Sequence, residues 1–185
     1  MPPKIKVTKE NIIETAFEIV RENGASSLNA RNLASKLKCS TQPIFSNFSS
    51  MEEVKTAVIE KALNLYNEFT KQELEKKIYP PYKASGMAYI RFAKEEKELF
   101  KFLYMRDRTN EKISNDSNEI KDILEIIMAS LNLSREKAEF FHLGMWSFVH
   151  GIASMLATNY LSLDMELISN MVTDIYQGLI KQYKE

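Results

Sequence analysis

The sequence predicts an all-α protein of nine helices. Apolar residues recur every three or four positions through most of its length, the spacing that lines one face of a helix. Alternating β-branched runs are few, and five glycines and five prolines in 185 residues leave long stretches without a breaker. The firmest interruption, Tyr79-Pro80-Pro81, divides four N-terminal helices from five behind it.

Met1 to Val7 is a short basic tail. Thr8 caps the first helix, in which Ile12, Ile13, Ala16, Phe17 and Val20 form an apolar stripe while the glutamates face out. Gly24 closes it, where a left-handed residue is wanted. Leu28 to Phe48 then reads as a short helix, a tight turn and a second short helix. Leu28, Leu33, Ala34 and Leu37 share a buried face, and Asn29 stands at the N-cap. Lys38-Cys39-Ser40 breaks the period, and Ser40 or Thr41 caps the helix that follows. Pro43 falls in its first turn, where a missing N–H costs nothing. Ile44, Phe45 and Phe48 are expected to point into a small core, and Thr41, Gln42, Ser46 and Asn47 outward. A short, polar, uncharged face with a cation on the partner helix (Arg31) suits base edges in a major groove. A helical hairpin with a merely solvated face is the plainer alternative.

Ser50-Met51-Glu52-Glu53 matches a capping box, with reciprocal bonds between the Ser50 and Glu53 side chains and the backbone. The fourth helix runs from there through Val54, Val58, Ala62, Leu65, Phe69 and Leu74 to about Ile78, roughly 42 Å at ~1.5 Å per residue. That length carries it out of the N-terminal unit and into a second bundle. Past the prolines, Tyr82 to Lys94 and Lys97 to Arg106 read as two helices. Arg108 to Asn118 is a polar surface loop. Glu119 to Leu131 is amphipathic, Ser134 caps a helix reaching about Tyr160, and Ser162 or Leu163 begins the last one.

The helix from Ser134 to Tyr160 is apolar on nearly every face and is expected to be surrounded. Phe141, Met145, Phe148, Ile152 and Leu156 form a bulky stripe; Gly144, Ser147, Gly151, Ser154 and Thr158 form a small one that admits another helix closely. The small stripe, with Ile168, Val172, Ile175 and Leu179 of the last helix, is read as a homodimer interface, two helices from each subunit making a four-helix bundle. A contact wholly within one chain is the alternative.

Charged residues make up 27% of the chain and balance to zero. Residues 1–50 hold seven Lys/Arg against four Glu, and the other 135 hold 18 basic against 21 acidic. A basic first quarter on an acidic body fits one segment touching phosphate while the rest stays off it. The single cysteine, Cys39, excludes an internal disulfide framework and fits a reducing cytosol; it is read as a turn filler, with oxidant sensing as the alternative. The N-terminus lacks an apolar run, so no signal peptide is expected. Only residues 140–161 approach membrane-spanning length, and histidines and hydroxyls interrupt them; no membrane span is read.

An enzyme must be weighed, because Glu139-Phe-Phe-His142 has the Glu-x-x-His spacing of di-iron bundles. Such a site needs a second copy, and the other histidine, His150, has Ser147 three residues before it. Two histidines and one cysteine make no convincing metal cluster, and no Gly-rich phosphate loop appears. No catalytic residue, metal or cofactor is therefore expected. His142 is read as a surface or cap residue and His150 as buried and hydrogen-bonded. A helical adaptor that binds protein is a third reading.

With a helix-turn-helix in its second and third helices and a long fourth, the chain resembles the tetracycline-repressor (TetR) family of transcriptional regulators. The likeness is strongest over Thr8 to Ala62. It rests on Ile12-Ala16-Phe17, Gly24, Leu33-Ala34, Ser40, Ile44-Phe45 and Phe48 before an acidic helix start. Trp146-Ser-Phe-Val-His150-Gly151 is similar to a Trp–His–Gly element of one subgroup. The resemblance implies a DNA-binding unit over 1–50, shared with the start of the fourth helix, and a ligand-binding and dimerisation unit over 51–185. It implies a cytoplasmic homodimer on a palindromic double-stranded operator, released by a small hydrophobic effector. Arg31, Thr41, Gln42, Ser46 and Asn47 would face bases; Ser40, Phe45 and the fourth helix's start, with Lys55, would meet phosphates. Tyr66, Tyr89, Phe92, Tyr104, Met105, Phe141, Met145 and Phe148 would line the effector pocket, although each also suits a core. Three positions depart from the family pattern: Lys38 replaces a turn glycine, Phe45 a phosphate-bonding tyrosine, and Met51 a lysine.

Overall fold

The computed structural model describes residues 7–107, 109 and 118–184. Their elements in chain order are α1 (Lys9–Asn23), a single 3-10 turn (Ala25–Ser27), α2 (Ala30–Lys36), α3 (Gln42–Asn47), α4 (Met51–Glu75), α5 (Pro81–Glu95), α6 (Lys97–Tyr104), α7 (Asn118–Leu131), α8 (Arg135–Ala157) and α9 (Met165–Lys184). These nine helices, with no strand among the described residues, make the predicted all-α fold.

Five of the helices, α1, α2, α4, α8 and α9, begin where a side chain accepts from their first free N–H groups. Thr8 accepts from Asn11 N, Asn29 from Asn32 N, Ser50 from Glu53 N and Ser134 from Lys137 N. The last helix starts later than expected, because Asp164, and not Ser162 or Leu163, accepts from Glu166 N at 2.6 Å and Leu167 N at 3.1 Å. At α4 the capping box is shifted by one residue: the Glu53 carboxylate reaches back to Ser49 N at 2.7 Å and Ser49 Oγ at 2.9 Å. Those bonds hold the Glu53 carboxyl below the usual carboxylate range.

Three helices also stop earlier than their apolar periodicity suggests. Lys77 enters the left-handed region (φ 53°) and ends α4 at Glu75, and Asn159 (φ 58°) ends α8 at Ala157. Tyr160 N bonds Met155 O and Asn159 N bonds Leu156 O, the paired closure that satisfies the last carbonyls of α8. At Met105 the backbone leaves helical geometry, so α6 ends at Tyr104 and not Arg106. The loop expected over 108–118 lies, except for Thr109 and Asn118, outside the described residues, as does the tail before Val7.

One continuous core joins the two ends of the molecule. Ile12, Ala16, Phe17 and Val20 of α1 meet Leu33, Ile44 and Phe48 of the helix-turn-helix and Val54, Val58 and Ala62 of α4. Each large buried side chain there contributes about 1.5–3 kcal/mol. The same α4, ~38 Å long at 1.5 Å per residue, continues to Phe69, whose ring meets Phe92 of α5 edge-on at 5.4 Å. α8 is the one helix among the described residues long and apolar enough to cross a membrane by length and composition. It packs instead on α5, α6, α7 and α9.

Candidate nucleic-acid interface

The turn between α2 and α3 sets the angle of the candidate reading head. Lys38 takes a left-handed backbone, φ 53°, a conformation that glycine adopts most readily. Cys39 N bonds Ala34 O at 3.0 Å and Lys38 N bonds Ser35 O at 3.1 Å, so α2 closes in a Schellman arrangement. Lys38 holds this turn at the cost of Cβ strain. Neither Ser40 nor Thr41 caps α3 by its side chain; Thr41 is the N-cap residue, and Pro43 sits in the first turn where no cap bond is needed.

Ile44 and Phe48 fill the core under α3, four residues apart on one face. Phe45 does not join them, contrary to expectation. One residue further round the helix, Phe45 is 48% exposed, because 100° of rotation turns it off the face that Ile44 and Phe48 share. The outer surface of the head therefore holds Arg31, Ser40, Gln42, Phe45 and Ser46, all exposed, with Thr41 and Asn47 half-buried beside them. Ser46 Oγ donates to Gln42 O at 2.9 Å and Asn47 Nδ2 to Pro43 O at 2.8 Å. Each keeps unused hydrogen-bonding capacity, since a hydroxyl also accepts and an amide offers a second N–H and an oxygen.

Lys55, expected to meet phosphate, is engaged within the chain, and so are Lys36 and Lys9. Lys55 Nζ lies 2.6 Å from Glu52 Oε1 and Lys36 Nζ 2.7 Å from Glu22 Oε2. Lys9 stands 3.7 Å from Glu53 and over the Phe48 ring. These exposed pairs are individually weak; a phosphate can compete for the same ammonium groups.

Behind the head, side chains far apart in sequence tie it to the bundle. Arg21, in the last turn of α1, makes a two-pronged bond to Glu96, the residue between α5 and α6: Nε to Oε2 at 2.8 Å and Nη2 to Oε1 at 2.5 Å. Gly24 lies against α6 so closely that a Cβ there would stand 2.7 Å from Glu98 Oε2. Buried Glu73 of α4 takes Arg91 Nη1 at 2.9 Å, with Lys76 Nζ at 2.7 Å and the Arg91 guanidinium over the Phe69 ring.

The eight expected pocket residues fall into separate groups. Tyr66, Tyr89, Phe92 and Tyr104 converge with Phe100 in a cluster whose ring centroids lie 5.0–6.2 Å apart. Phe141 packs elsewhere, against Tyr82, Tyr176 and Tyr183. Phe92, Phe141, Tyr89 and Met145 are buried, Tyr66, Tyr104 and Phe148 half-buried, and Met105 is exposed. Edge-on ring packing fills the space a ligand would take. A surface cleft of about 100 Å³ lies away from these rings, between the α5–α6 junction and the end of α8; small-molecule pockets run from roughly 300 to 1,000 Å³.

Both histidines of α8 are fastened to α5. Tyr82 Oη lies 3.0 Å from His142 Nδ1, and Tyr89 Oη 2.8 Å from His150 Nδ1, while the Trp146 indole stacks on His150 at 4.9 Å. Burial holds both imidazoles below the ordinary histidine pKa and pushes the Tyr82 phenol up. His142 is thus a packing residue, not a cap. Glu139 turns to Arg135 at 2.9 Å, so the Glu-x-x-His pair does not converge.

The expected dimer residues divide. Ile168 and Val172, 0% and 3% exposed, face the interior of their own chain, because α9 lays its apolar stripe on the bundle. A Cβ at Gly144 would meet Leu179 of the same chain at 3.5 Å, so that part of the small stripe admits α9 internally. Gly151 opens on free space, Ser147, Thr158 and Ile175 are exposed, and Ser154 is half-buried. The outward face of α8 also carries Phe140, Leu143 and Trp146, and that of α9 Leu167. The pattern that signals them was present: a helix apolar on all faces has more apolar positions than one chain's core can cover.

The model of the family described as "Tetracyclin repressor-like, C-terminal domain" matches residues 82–175. Among solved structures the chain is similar to a TetR-like transcriptional regulator from Rhodococcus sp. RHA1. The two share 11% identity over 96% of each chain, with a TM-score of 0.68, which is a likeness of fold. No curated protein matches the sequence.

Proposed function

The chain belongs to the tetracycline-repressor (TetR) family of transcriptional regulators, and from that premise we propose that it is a cytoplasmic, ligand-responsive repressor binding a palindromic operator as a homodimer. Residues 1–50 with the start of α4 form the reading head, and the remainder forms the effector and dimerisation body. The observation that carries this reading is the outer surface of α3 and its partner: Arg31, Gln42, Phe45 and Ser46 are exposed together on a head whose turn geometry is intact. Gln42 and Asn47 offer paired donor and acceptor groups that suit adenine, Arg31 suits guanine, and the Phe45 ring suits a thymine methyl or a sugar. Lys55 and Lys36 take backbone phosphates once their carboxylate partners let go, and the exposed Ser40 takes one beside them.

The exposed apolar residues Phe140, Leu143 and Trp146 of α8, with Leu167 and Ile175 of α9 and the open stripe at Gly151, support pairing of two chains through these helices. Ile168 and Val172 have no part in it. Two heads then sit about one helical turn, ~34 Å, or a small multiple apart. An effector acts by spreading them, with α4 as the lever and the Arg21–Glu96 pair as the tie between head and body. The effector is a small hydrophobic compound that opens the ring cluster around Tyr66, Tyr89 and Tyr104, closed in this state. The experiment is operator binding by Arg31→Ala and Gln42→Ala. Loss of affinity with retained helicity supports the reading; unchanged affinity in both contradicts it.

A further inference from the structure

Lys36, Lys55, Lys61, Lys76 and Lys101 each have a carboxylate within 2.7 Å. Lys94 and Lys97, on either side of the α5–α6 junction, do not: among the described residues no ion pair includes them. Lys94 Nζ donates to the Leu163 carbonyl at 3.2 Å, and Lys97 Nζ donates to the Asn159 amide oxygen. Both acceptors are neutral, and both lie in the connection between α8 and α9. The acidic neighbours in sequence are committed elsewhere, Glu95 to Arg91 and Glu96 to Arg21.

The two half-buried lysines, with Leu156, Asn159, Leu161 and Ser162, line one surface cleft of about 100 Å³. Two like charges share one concavity with no opposing charge, so its potential is positive. Each ammonium carries three N–H donors and spends one on its neutral acceptor, and the Ser162 hydroxyl adds another donor at the rim. The volume is too small for a drug-sized molecule and suits a compact oxyanion. We propose that this cleft is a binding site for a free small oxyanion of phosphate or carboxylate type. Its occupancy braces the α5–α6 junction, at which Glu96 grips Arg21 of α1, against the α8–α9 connection.

Inorganic phosphate titrated into the full chain by calorimetry, and its effect on thermal unfolding against chloride at equal ionic strength, test this. Acetate serves as the carboxylate probe in parallel. Saturable binding of one phosphate or acetate per chain is expected, with a rise in Tm that chloride does not give. The Lys94→Gln/Lys97→Gln double variant should bind at least about tenfold more weakly, the loss of two charge-assisted bonds. Ser162→Glu, which puts a carboxylate in the cleft without deleting either lysine contact, should stay folded and lose the response. The proposal is overturned if neither oxyanion outdoes chloride, or if the Ser162→Glu chain responds as the wild type does.

Discussion

Arg21 and Glu96 join α1 to the α5–α6 junction by two parallel bonds across 75 positions of sequence. The partners are unequally buried: Glu96 is 9% exposed, whereas the Arg21 side chain keeps 43% of its surface in water. Removing one partner is therefore not equivalent to removing the other. Arg21→Met leaves a carboxylate buried without a counter-charge and should cost about 2 kcal/mol; Glu96→Gln leaves a guanidinium that water reaches and an amide oxygen that still accepts, costing less than about 1 kcal/mol. Urea unfolding of both variants measures the difference. Equal losses, or the reverse order, count against this reading of the junction.

Lys38 holds a left-handed conformation that costs a residue with a Cβ about 1–2 kcal/mol, part of which its lower unfolded-state entropy returns. Lys38→Gly is thus expected to raise stability by about 0.5 kcal/mol, seen as a higher urea midpoint at unchanged slope. A lower midpoint would mean that the lysine stem contributes packing that outweighs the strain.

The head carries Phe45 where a tyrosine and Met51 where a lysine would meet phosphate in the family pattern. Restoring them separates two physical terms. Met51→Lys should steepen the dependence of log K on log salt by about 0.9, one counterion's worth, whereas Phe45→Tyr should tighten operator binding a few-fold and leave the slope alone. Fluorescence anisotropy at several salt concentrations reads both. If Met51→Lys leaves the slope unchanged, the start of α4 does not touch the DNA backbone.

His142 and His150 are both held below the ordinary histidine pKa by burial. The unfolded chain therefore takes up these protons first as pH falls through about 6.5, and folded-state stability, full above that pH, declines towards the depressed folded values. His142→Asn keeps a hydrogen-bonding atom near the position of Nδ1, beside the Tyr82 hydroxyl, but cannot titrate. Its Tm should fall less than that of the wild type between about pH 7 and about pH 5. Parallel declines in the two proteins would contradict the assignment.

Much of the fold is legible in the sequence because it is set by local rules. Thr8, Asn29, Ser50 and Ser134 cap the helices whose starts they mark. Helix ends are less legible: Lys77 and Asn159 stop α4 and α8 through a left-handed residue that apolar periodicity does not report. The outer side of α3 is legible because Ile44 and Phe48, at i and i+4, fix which side is buried. Phe45 is apolar yet exposed, because 100° of rotation from Ile44 carries it off the buried side. The bundle is least legible. Whether an aromatic lines a pocket or fills a core depends on neighbours such as Phe100 beside Tyr104, and which face of α9 turns inward depends on what Ile168 meets. Nothing in a pattern of spacings brings Arg21 to Glu96.

The central claim is that two copies of the α3 surface read one duplex at a fixed pitch, and selection from a random double-stranded oligonucleotide pool by the full-length protein tests it most directly. Enrichment of an inverted repeat whose half-site centres lie about 10 base pairs, or a small multiple of that, apart is expected, with loss of that enrichment in Gln42→Ala. A pool that stays random after repeated rounds, or yields one unrepeated half-site bound by a single chain, would contradict it.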